Sequence, residues 1–168
     1  MKEFIQKHKE HLIYVVVLLL ILGGIFTSKQ FITPVIVSGH SMDTTLDNGM
    51  YGFSTNVKED TEIERGDIVI VRTSTKVIIK RIIGMPGETI RCEGGIVYIN
   101  DEAIVEDYAT GVTEDFGECV LGEDEYFVMG DNREHSKDSR IIGPITKDQI
   151  IAKHLFVVTS INKFGYHK

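Results

Sequence analysis

What the sequence lacks narrows its chemistry first. Six His (8, 11, 40, 135, 154 and 167) and two Cys are present, but no HExxH, no CxxC and no close pair with ligand spacing beyond the N-terminal end. The common zinc sites are thereby excluded. No Walker loop or GxGxxG fingerprint occurs, and strand-like runs do not alternate with helical ones, which removes the nucleotide-binding folds. Basic charge is scarce as well. Past residue 33 the chain holds 14 Lys and Arg against 23 Asp and Glu, a balance near −9 that excludes a nucleic-acid binder with a basic face. There is no internal repeat, and no low-complexity run that would suggest disorder.

One long apolar run is present. Leu12 to Phe26 carries no charge or strongly polar group over 15 residues, so the mean hydropathy of +0.00 averages two unlike pieces. A cleaved signal peptide and a retained signal anchor share this plan. No Ala-x-Ala-like cleavage site follows the run, since Gly24-Ile25-Phe26-Thr27 places a bulky residue there, and this favours an anchor over residues 11–28. Lys2, Lys7 and Lys9 outweigh Lys29, which puts residues 1–10 in the cytoplasm and residues 35–168 outside, as a single-pass protein of the plasma membrane.

The exported part reads as mainly β and of one domain's size. Strands are predicted at 34–37, 67–72, 77–83, 89–92, 96–99, 126–129 and 155–159, each short and rich in Val and Ile. Glu93-Gly94-Gly95 is a tight-hairpin candidate between two of them. A helix is predicted only over 146–153, where Thr146 would cap and Gln149 stands three residues on. Residues 106–122 are acidic and weakly patterned, a surface excursion. Cys92 and Cys119 would form a disulfide in an oxidising compartment or remain two free thiols.

Few residues offer catalysis. Gly39-His40-Ser41-Met42-Asp43 lacks the second glycine of a G-x-S-x-G elbow, and Ser160-Ile161-Asn162-Lys163 fits S-x-x-K without its companion motifs. Ser41 follows a strand after Gly39, a residue that lets another backbone approach, although turns commonly carry serine. Lys80 lies between Ile78 and Ile82 on one face of a predicted strand. Burial there would favour the neutral amine, whereas an edge-strand lysine would only discourage aggregation. The stretch 130–143 is dense in carboxylates, arginines and hydroxyls, a pattern of solvated loops that also suits a shell of residues fixing a base and a nucleophile.

Taken together, Ser38-Gly-His-Ser-Met-Asp-Thr-Thr-Leu46, Gly66-Asp-Ile-Val-Ile-Val71, Val77-Ile-Ile-Lys-Arg-Ile-Ile-Gly-Met-Pro-Gly-Glu88 and the 130–143 segment resemble, in order, the boxes of the type I signal peptidases. These are membrane-anchored serine proteases that remove signal peptides after export. The resemblance implies an antiparallel β-sheet domain behind one N-terminal transmembrane helix, with Ser41 as nucleophile and Lys80 as general base. It also implies that Ser136 hydrogen-bonds and orients the lysine, that Asp138 and Arg140 form a supporting ion pair, and that Asp131 and Asn132 belong to the same box. Gly39, Met42, Leu46 and Ile79 become candidates for the substrate pocket. Two positions depart from the family pattern: Thr44 stands at the usual proline, implying a looser turn, and Gly39 stands where some members carry an oxyanion-binding serine. The backbone N–H of Ser41 is then the expected main oxyanion donor.

The implied reaction cuts one peptide bond after a small residue of an Ala-x-Ala type site, through an acyl-enzyme and without cofactor or metal. Its implied partners are signal peptides of exported pre-proteins and the lipid bilayer, with the export translocon nearby. Rival readings are a Ser41–His135–Asp131 triad, an idle relative that binds signal peptides or a membrane partner, and a self-cleaving repressor-type Ser-Lys protease.

Overall fold

The structure, a computed structural model, describes residues 14–21, 23, 24, 32–160 and 163–167, with side chains omitted after Val158. The chain divides into Met1–Ile32 and Thr33–Lys168. In the first unit, residues 14–21, 23 and 24 are helical, and the side chains of 14–21 are exposed. Among the described residues no helix is long and apolar enough to cross a membrane. The expected span over 11–28 falls partly outside them.

The second unit is built of antiparallel strands. One sheet contains, in spatial order, β1 (Ile32–Ile36), β2 (Tyr51–Asn56), β11 (Ile150–Ser160), β3 (Ile68–Arg72), β4 (Val77–Gly84), β9 (Glu125–Met129) and β10 (Ile145–Thr146), with β12 (Lys163–His167) also paired to β11. A smaller sheet runs β7 (Glu102–Ala103), β6 (Ile96–Ile99), β5 (Thr89–Glu93), β8 (Phe116–Val120). The ring of Phe116 stacks on that of Phe127 in β9 at 5.3 Å, tying the smaller sheet to the larger. The predicted hairpin is present: Glu93 faces Ile96, and Gly94 and Gly95 both have positive φ, 61° and 78°, as a two-residue type I′ turn requires.

β-branched runs made the central strands, since Val69, Val71, Ile78, Ile82 and Val128 close one core between β3, β4 and β9. A second core joins Ile83 and Met129 to Ile90, Val97 and Leu121. In a third, Met42 and Leu46 pack with Val37, Ile68, Leu155 and Val157.

The predicted helix over 146–153 is corrected. Gln149 accepts from the Thr146 N–H at 2.9 Å as the cap requires, but only a 3-10 turn, Lys147–Gln149, follows. Ile150 then opens the longest strand, because Ile150 and Ala152 pair with Val71 and Ile70 of β3. Five strands were not read from the pattern: β2, β7, β8, β10 and β12. β2 buries Gly52 and Ser54 while exposing Tyr51 and Phe53, the reverse of an apolar alternation. β8 lies inside the expected surface excursion and is mostly exposed. Cys92 and Cys119 are free thiols. Their strands pair so that Cys119 faces Ile90 and Cys92 faces Phe116.

Candidate active site

β1 leads through Val37 into a tight turn at 41–45, closed by N–H donation from Thr45 and Leu46 to the Met42 carbonyl at 3.0 and 2.7 Å. Met42 and Leu46, 2% and 0% exposed, plug this turn into the third core. Ser41 is thereby held at the surface of a buried anchor. Gly39 has φ +104° and nothing within 4 Å of a methyl placed on it. Its need for glycine comes from that φ, and the space beside its Cα is open. Thr44 sits at φ +52°. Proline's ring holds φ near −65°, so this turn is a different one from a proline turn and not merely a looser one.

Lys80 comes from β4, paired with Val69, and is 2% exposed. Its amine donates to Ser41 Oγ at 2.6 Å and to the Ile79 carbonyl at 2.8 Å. Desolvation by burial lowers its pKa to about 8; Asp138 and Asp131 pull upward and Lys76 adds to the lowering. An alkylammonium beside a hydroxyl can do little until it loses a proton, and this shift brings the neutral base within reach of ordinary pH. Among the described residues the Ser41 N–H has no acceptor, and Ser41 itself lines the cleft.

The 130–143 segment wraps this pair. Asn132 donates from its N–H to the Ser41 carbonyl at 3.1 Å and from Nδ2 to the His40 carbonyl at 3.0 Å. Arg81 forks onto Asp131 at 2.9 and 2.6 Å, and Thr45 donates to the same carboxylate at 2.5 Å. Arg140 forks onto Asp138, both contacts 2.9 Å. Burial works against the Asp138 carboxylate, but Arg140, the nearby Ser136 hydroxyl and the Gly130 N–H together hold its pKa below the usual range. A methyl at Gly130 would overlap both the Ser41 carbonyl oxygen and the Ser136 hydroxyl.

The expected residues do not all take the expected parts. Ser136 is buried beside the pair, with its hydroxyl near the Asp138 carboxylate and not bonded to Lys80. The expected Ser136–Lys80 hydrogen bond is not formed, because the lysine amine is turned to Ser41 and Ile79. Gly39, Met42 and Ile79 line a cleft of about 1030 Å³ together with Ser41 and Lys80. Leu46 does not line it and is a core residue. The triad reading fails on geometry, since Asp131 is engaged by Arg81 and Thr45 while His135 Nδ1 meets Asn132 Oδ1 at 3.2 Å.

Sequence reasoning missed a supporting layer from the expected surface excursion. Tyr108 lies under the Arg81 guanidinium at 4.1 Å. Thr110 donates its N–H to the Asp131 carbonyl and accepts from the Arg133 N–H, at 2.8 and 2.9 Å. Buried Arg133 pairs with Glu106 at 2.7 Å. Only the density of acidic and aromatic residues there hinted at partners.

Comparison with known proteins fits this geometry. The model of the family described as signal peptidase, peptidase S26, matches residues 8–159. The chain belongs to that family. It is 36% identical to signal peptidase I S of Bacillus subtilis over 96% of this chain and 92% of that protein. Signal peptidase IB of Staphylococcus aureus is 32% identical, over 83% of this chain and 84% of its own length. A crystal structure of a signal peptidase I from Enterococcus faecalis V583 superposes with a TM-score of 0.51 at 29% identity, covering 55% of this chain and 97% of that one. Family membership makes the chain a serine peptidase of the signal peptidase I type.

Proposed function

We propose that the protein is a membrane-anchored signal peptidase I that cuts signal peptides from exported pre-proteins after a small residue. Ser41 is the nucleophile and Lys80 the general base. The observation that carries this reading is the 2.6 Å contact between the Lys80 amine and Ser41 Oγ, with Lys80 2% exposed. Neutral Lys80 takes the hydroxyl proton as Ser41 attacks the carbonyl; the Ser41 N–H stabilises the developing oxyanion. The amine then passes the proton to the leaving amine and activates water for deacylation.

The cleft suits an extended chain. β1 is the edge of its sheet, and β4 pairs with β9 only from Arg81 onward, so the Val77–Lys80 half also has one free side. Both line the cleft and can add a substrate strand by β-augmentation. Met42 and Ile79 are the walls that fit small side chains. Residues 11–28 anchor the enzyme in the plasma membrane with residues 1–10 cytoplasmic, near the export translocon, and tethering raises the effective substrate concentration.

The test is cleavage of a purified pre-protein by the full chain in lipid. Ser41→Ala and Lys80→Ala should each lose about a thousandfold or more in rate with unchanged folding, while His135→Ala keeps activity. Cleavage by Lys80→Ala at the parent rate contradicts the dyad, and no cleavage by the folded parent favours a signal-peptide-binding role instead.

A further inference from the structure

The domain is acidic, yet among its described residues the uncommitted cations share one place. Among the described residues, Arg65, Arg81, Arg91, Arg133, Arg140 and Lys153 are in ion pairs with carboxylates. Lys147 donates to the Glu59 carbonyl, Lys80 to Ser41, and Lys58 is engaged too. Arg72, Lys76 and Lys137 remain. All three are exposed, and all three line the cleft that holds Ser41 and Lys80. The only carboxylate among its lining residues is Asp148, so these cations outnumber it three to one. In a chain of net charge −7, a cleft with three unpaired cations reverses the sign of its surroundings, and low-dielectric walls focus such a field on whatever enters.

Resting on the peptidase reading, we infer that Arg72, Lys76 and Lys137 are specificity residues that favour pre-proteins with acidic side chains flanking the cleaved bond. Their placement gives the positions. Lys76 precedes β4 and stands four residues before Lys80, roughly 13 Å along an extended strand. A substrate strand lying on the free side of β4 therefore brings a side chain about four residues from the scissile bond to Arg72 and Lys76. Lys137 follows Ser136, whose hydroxyl and the Ser41 carbonyl both border Gly130, so it stands beside the bond itself. Each contact is exposed and individually weak; acting together on a bound chain they discriminate.

The experiment compares peptide substrates with Asp or Asn at each position from four before to four after the cleaved bond, using the full chain in phosphatidylcholine vesicles. The readout is the Asp-to-Asn ratio of kcat/KM. Lys76 also repels the charged Lys80, and the ratio cancels any change that a Lys76 variant makes in the base. The parent should prefer Asp by about fivefold at the favoured positions, less in about 0.5 M salt. Lys76→Glu with Arg72→Glu should bring the ratio below one at the distal position while Lys137→Glu does so beside the bond. A parent ratio of one at every position, with the Asn peptides still cleaved, overturns the inference and leaves the peptidase reading standing. So does a ratio of one coupled to faster cleavage of all peptides in phosphatidylglycerol vesicles that is lost on charge reversal, which would assign the cations to lipid headgroups. If the parent cleaves no peptide at all, both readings fall.

Discussion

At the residue scale, two backbone positions decide where Ser41 points. Thr44 holds a left-handed φ of +52°, which costs an L-residue about 1–2 kcal/mol. Thr44→Gly should therefore be neutral or raise unfolding stability by up to about 1 kcal/mol. Thr44→Pro, the residue usual in the family, should instead lower Tm and kcat together, since the ring cannot adopt this φ. Thermal unfolding and steady-state kinetics of the two variants check the sign. Gly130 answers to a different constraint, close packing. Gly130→Ala must push the Ser41 carbonyl and Ser136 aside, so kcat should fall by about a hundredfold, as when a positioned group moves by about 1 Å. Neither position is legible as such in the sequence: Thr44 reads as a lost proline, and Gly130 as one loop glycine among several. Ser41 and Lys80 were ambiguous by pattern, a turn serine and a strand lysine, and became specific only through the ordered boxes around them.

At the element scale, the strands that could be read were those whose buried faces are β-branched. β3 and β4 announce themselves by Ile68-Val-Ile-Val71 and Val77-Ile-Ile. β2 does not, because Gly52 sits so close to the Phe156 carbonyl that no side chain fits between them. The segment from Glu106 to Thr113 was misread for a related reason. Its residues are fixed by ion pairs and backbone bridges to partners distant in the chain, which leave no periodic trace. Arg133 is only 1% exposed at its side chain, so Glu106→Ala strands a buried guanidinium and should cost about 3–5 kcal/mol in urea unfolding. Tyr108 works more locally. Tyr108→Ala removes the ring under Arg81 and should lower kcat about fivefold with KM nearly unchanged, whereas Tyr108→Phe, which keeps the ring, should restore it. A matching loss in Tyr108→Phe would show that the hydroxyl bonded to Glu106 matters more than the ring.

At the scale of the whole molecule, the property that matters is how the fold desolvates a single amine. β3, β4, the Ser41 turn and the 130–143 segment converge so that Lys80 is enclosed while Ser41 stays half-buried at the cleft. No one element would lower the pKa by itself, and Asp138 and Asp131 oppose the effect. The sign of the resulting pH dependence follows directly. Below its pKa of about 8 Lys80 is an ammonium and cannot accept the Ser41 proton; above it the free amine can. Lys76→Gln removes a repelling charge and should move the activation upward in pH.

The most direct measurement is kcat/KM for cleavage of an uncharged-site pre-protein by the full chain from about pH 5 to 10. The account predicts activity rising about tenfold per pH unit and levelling near pH 8, unchanged by His135→Ala and His40→Ala. A profile that instead levels near pH 6.5, as for an ordinary histidine, and collapses in His135→Ala would contradict a lysine base.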